Sequence, residues 1–146
     1  MPAAAYGYGR KGYTITGSHL GLQSELQLFA ADTALIKTPP SPKQKRRRRG
    51  PSTKVKYLWA KAIPFHVRAM VLAGGTLVIA GPSDVGDLAA AQPKGAVSLW
   101  AVSPGDGSVL SKRELKACPV FDSFAACGGR LYFTTVDGRV VCYQGR

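Results

Sequence analysis

The side chains of this chain with the strongest claim to chemistry are two histidines, three cysteines, eight carboxylates and a dense set of cations. His19 and His66 stand far apart, with no partner at metal-ligand spacing, so each reads as a loop or core residue rather than a ligand. Cys118, Cys127 and Cys142 form an odd set without a C-x-x-C, a haem-type C-x-x-C-H or a vicinal pair. They read as free thiols, with a disulfide between Cys127 and Cys142 as the alternative. Glu25, Asp84, Asp87, Asp106, Glu114, Asp122 and Asp137 fall in turns, loops or a polar strand, and only Asp122, just before a strand, could face a central channel. Asn is absent, which removes a common metal and amide ligand. There is no G-x-S-x-G elbow, P-loop or dinucleotide fingerprint; Tyr6-Gly7-Tyr8-Gly9 lacks a third glycine and a following helix. No catalytic, cofactor-binding or metal-ligating residue is assigned.

The cations are the sharper feature. The chain carries 20 Lys and Arg against 8 Asp and Glu, a net charge of +12. Nine of those cations lie between Lys37 and Lys56, a stretch with no acid, and the rest of the chain is close to neutral. Lys43, Lys45, Arg46, Arg47, Arg48 and Arg49 could neutralise phosphates on nucleic acid or on anionic lipid, or serve as a nuclear address. No aromatic residue is interleaved for stacking on bases, and Pro39, Pro40, Pro42, Gly50 and Pro51 deny the stretch regular structure. The plainer reading is a disordered basic linker between folded parts, with neither nucleic acid nor membrane as the expected partner.

The elements around it are strands. Hydrophobic residues make up 45% of the chain, with 17 Gly and 10 Pro, a balance that favours an all-β, turn-rich fold. No apolar run approaches the roughly 18 to 20 residues of a membrane-spanning helix. The N-terminus shows no basic region followed by an apolar one. Val71–Ala80 lies over Ala125–Thr134 as two strands joined by a Gly-Gly turn, and Gly95–Val102 matches Gly138–Tyr143 as the next strand. A loop insertion from about Pro82 to Lys94 separates the strands of the earlier copy. A weaker third copy lies upstream, where Leu28–Asp32 resembles Leu99–Ser103 and Ala5–Gly9 would be the strand before it. Gly74-Gly75 and Gly128-Gly129 can supply the positive φ of tight hairpins, and Asp106-Gly107 and Asp137-Gly138 are short hairpin signals. The full copy predicts a four-stranded meander: Val67–Leu72, Thr76–Ala80, Ala96–Val102 and Val109–Leu115. Its first three strands are apolar at nearly every position, which implies a sheet covered on both faces; the fourth is polar, as an edge should be. Tandem sheets of this kind describe β-propeller blades, with a β-sandwich as the structural rival.

Gly129–Tyr143 resembles the pyrroloquinoline quinone (PQQ)-type propeller repeat, whose core reads roughly G-x-L-Y-x-x-T-x-D-G-x-L-x-A-L. Leu99–Leu110 resembles its continuation, an aromatic strand followed by a hairpin. The chain is similar to the last blades of PQQ-like propeller proteins of planctomycete-type bacteria. The resemblance implies a partial propeller of about two and a half four-stranded blades: 1–36 a partial blade, 37–56 the linker, 57–116 a complete blade, 117–146 a last blade without its outer strand. It implies a C-terminal fragment of a larger propeller, because rings use about 4 to 8 blades. For such a larger protein, periplasmic or exported localisation fits. Trp59 and Trp100 are read as packing residues. The expected function is a non-catalytic protein-interaction scaffold whose partner is another protein or the missing blades. Part of a quinoprotein dehydrogenase holding PQQ and Ca²⁺ is the enzymatic alternative, and polyanion binding through the Arg run the third.

Overall fold

The computed structural model describes residues 4–10, 26–34, 36–38, 52–83 and 95–144, and no helix occurs among them. Strands β1 (Ala4–Arg10), β2 (Leu26–Asp32) and β5 (Tyr57–Ala62) form a first antiparallel sheet in the order β1-β2-β5. The short strands β3 (Ile36–Thr38) and β4 (Ser52–Lys54) pair with each other. A second sheet runs β6 (Ala69–Ala73), β7 (Thr76–Pro82), β8 (Val97–Val102), β9 (Val109–Leu115), each strand beside its chain neighbour. The third repeats that order with three strands: β10 (Ala125–Cys127), β11 (Arg130–Thr134) and β12 (Val140–Gln144).

The turns follow from glycine. Gly74 and Gly75 take φ of 56° and 76°, and Gly128 and Gly129 take 55° and 72°, the double positive φ that a two-residue type I′ hairpin requires. The Asp-Gly pairs work differently from the short hairpins expected of them. Asp106-Gly107 lies in a longer loop closed by Ser103 N–H to Ser108 O, and Asp137-Gly138 in one closed by Thr135 N–H to Arg139 O. In the second of these the Thr135 hydroxyl donates to the Asp137 carboxylate, while the Arg139 N–H donates back to Thr135 Oγ1. The T-x-D-G signature is thus a local network that closes the turn between β11 and β12.

The sheets stack face on face. Along β7 and β8, Leu77, Ile79, Trp100 and Val102 point to one side, where they pack with Leu28 of β2 and with Ile63 and Phe65 of the β5–β6 connection. Ala80, Val97 and Leu99 point to the other side and meet Leu115, Cys118 and Phe133. Both faces of the second sheet are therefore covered, as its unbroken apolar strands predict, and a two-sheet sandwich does not describe the arrangement. The fourth strand, β9, is exposed along nearly its whole length.

The sequence places residues 57–62 at the start of the 57–116 unit; in the structure they form β5, which pairs with β2 and completes the first sheet. Phe29 and Tyr57 hold the two strands together across that pairing, ring edge to ring face at 5.1 Å. The basic stretch is consequently an excursion between two neighbouring strands of one sheet rather than a linker between sheets. It is also not wholly irregular, since the β3–β4 ladder, Ile36↔Lys54 to Thr38↔Ser52, closes its base.

Candidate functional site

The facing rows of the second and third sheets are filled at one end and empty at the other. Towards one end Ala80, Leu99, Leu115 and Phe133 interlock. Towards the Gly74-Gly75 and Gly128-Gly129 turns the rows carry Ala73, Thr76, Ala101, Ser111 and Ala126 instead. Side chains this short cannot span the roughly 10 Å between packed sheets. A cleft of about 650 Å³ remains, walled by Val78, Leu99, Leu131 and Tyr143. A β-bulge interrupts the β8–β9 register between Ala101 and Val102, on the wall of this cleft. Bulges re-aim the side chains beside them and gather near binding sites.

The electrostatics of the cleft are one-sided. Arg113 of β9 and Arg130 of β11 line it, and no Asp, Glu or His does. Neither arginine makes an ion pair among the described residues, where Asp32 pairs with Lys56 and Asp137 with Arg139. Cys127 lies in the same cleft as a free, exposed thiol.

Compared with protein-family models, with curated proteins and with solved structures, the chain matches none.

The sequence-predicted residues are dispersed. Lys43, Lys45, Arg46, Arg47, Arg48 and Arg49 lie outside the described residues, as do His19, Glu25, Asp84 and Asp87. His66 is half-buried, its Nδ1 2.9 Å from the Tyr8 hydroxyl in a bond that links the first sheet to the segment before β6. Asp122 is exposed at φ 52°, and its N–H donates to Arg68 O. All three cysteines are free. Cys127 and Cys142 sit on β10 and β12 with β11 between them, about 10 Å apart by strand spacing, beyond the reach of a disulfide. Cys118 is buried, and that burial pushes its thiol above the usual range, with Arg68 opposing. No group of three or more His, Cys, Asp or Glu among the described residues could hold a metal ion. Trp100 presents no free ring face for a cofactor, being buried edge-on to Phe65 with the Lys112 ammonium 4.3 Å from its ring centre.

One further surface stands out. Both β9 and β12 end their sheets, but only β9 carries charge along its length, in Lys112, Arg113 and Glu114. Strand β12 reads Val-Val-Cys-Tyr-Gln, and Val140 is 75% exposed. Since the Thr135 N–H bonds Arg139 O, ladder alternation turns the backbone groups of Val140, Cys142 and Gln144 away from β11.

Proposed function

We propose that this chain is a set of PQQ-like β-propeller blades acting as a non-catalytic protein-interaction scaffold. Three stacked meander sheets, the middle one covered on both faces, support the propeller reading. The observation that carries the scaffold reading is the uncharged edge of β12. Natural sheets blunt such edges with charge, as β9 does here, and an edge left bare is a template for another strand. The partner therefore contributes an extended segment that hydrogen-bonds to β12 and completes the third sheet as β9 completes the second.

Size-exclusion chromatography with light scattering on the purified 146-residue chain tests the reading. Association that grows with concentration and is abolished by Cys142→Pro is the expected result, because proline on an open edge removes an outward N–H while leaving the inner ladder intact. A compact monomer that melts cooperatively at every concentration overturns it.

A further inference from the structure

We propose that the cleft between the second and third sheets binds a small organic carboxylate with an apolar body. The cleft is distinct from the β12 edge, and the inference does not depend on the scaffold reading. Its volume of about 650 Å³ lies in the range of roughly 300–1,000 Å³ that small-molecule pockets occupy. Val78, Leu99 and Leu131 offer apolar contact to the body of such a ligand. Arg113 and Arg130 supply the charge: two arginines line the cleft, without a carboxylate partner among the described residues. Guanidinium binds carboxylate through paired N–H donors. A cation is disfavoured by the same two charges. Cavities between packed sheets are ordinarily closed by larger side chains. Here Ala101 and Ser111, paired across β8 and β9 beside the bulge, hold the space open.

The three cysteines provide the readout. Cys127 lines the cleft, Cys142 is exposed outside it and Cys118 is buried. The full chain is alkylated with iodoacetamide in the presence of 2-naphthoate, or of neutral 2-naphthylmethanol, and modification of each cysteine is followed by peptide mass spectrometry. Naphthoate is expected to slow Cys127 several-fold without affecting Cys142, and naphthylmethanol to protect about threefold less or weaker still. Arg113→Gln and Arg130→Gln should each raise the naphthoate concentration needed by about threefold or more, while Arg139→Gln, outside the cleft, changes nothing. Continued silence of Cys118 certifies that each variant is folded. If an arginine variant unfolds, Ala101→Leu fills the space with both charges kept, and it should abolish protection. Equal protection by acid and alcohol, equal protection of Cys127 and Cys142, no protection up to the solubility limit, or an effect that disappears only when Arg46–Arg49 are replaced by serine would each overturn the proposal.

Discussion

Gly81 shows how much one missing side chain decides in this fold. The segment from His66 to Arg68 runs alongside β7, with His66 N–H bonded to Pro82 O and Arg68 N–H to Ala80 O. A Cβ on Gly81 would come within 1.7 Å of the His66 carbonyl oxygen, and the obstructing atoms are backbone. Gly81→Ala should destabilise the chain by about 2–3 kcal/mol, as overpacking does where nothing can yield. Gly74→Ala, in open space at φ 56°, should cost about 1 kcal/mol from backbone conformation alone. Urea denaturation of the two variants separates them, and equal midpoints would contradict the steric account. Asp106 makes a second prediction at this scale. Hydrogen bonds from the Ser103 side chain, and then from the Ser108 N–H and hydroxyl, lower its pKa to about 2. A carboxylate whose pKa is lower in the folded chain stabilises it above the unfolded pKa near 4, and that contribution disappears as pH falls through about 2. Side-chain carbonyl NMR should place the Asp106 midpoint near 2; a midpoint near 4 would show that the loop does not hold the carboxylate.

At the scale of elements, the second sheet was legible because its strands are marked twice, by glycine pairs that set the turns and by apolar runs that require cover on both faces. All four of its strands fall where the residues predict them, with ends shifted by one or two positions. The first sheet was legible only in part. The resemblance of Leu28–Asp32 to Leu99–Ser103, with Ala5–Gly9 as the strand before it, anticipates β2 and β1, but which sheet β5 joins is a long-range choice across the basic stretch. Local pattern does not encode it; the register Phe29↔Ala60 and Ala30↔Trp59 does. The cleft was not legible at all. Ala101, Thr76 and Ser111 are unremarked in single strands and make a cavity only when two rows of small residues face each other. Trp59, read from the sequence as a packing residue, also fastens sheets: its indole N–H donates to Pro104 O at 2.9 Å, in the loop that follows β8. Gly107 lies so close beneath the ring that a Cβ there would approach Trp59 Cε3 to 2.6 Å. Trp59→Phe keeps an aromatic ring but loses the hydrogen bond, and should cost about 1 kcal/mol in a thermal or urea melt. No measurable change would mean that the bond is not formed in solution.

For the whole molecule, stacking in series makes stability uneven. The second sheet is packed on both sides, whereas the first and third each have one described sheet against them. Openings should therefore begin at the ends of the stack. Hydrogen exchange followed by mass spectrometry should find the slowest amides in β7 and β8 and the fastest strand amides in β12; uniform protection across the three sheets would refute the order. The placement of the two tryptophans has an optical consequence. Trp59 and Trp100 both belong to the packing between the first and second sheets, and the third sheet contains Tyr132 and Tyr143 but no tryptophan. Emission excited near 295 nm thus reports on one interface alone, with the Lys112 ammonium over Trp100 as its local field. A chain whose third sheet had come away would still glow as if whole, while the stacked Phe133–Tyr143 pair, 5.8 Å between ring centres, would register the loss in near-ultraviolet dichroism. Two colours of spectroscopy can therefore time the two interfaces independently in a single unlabelled sample.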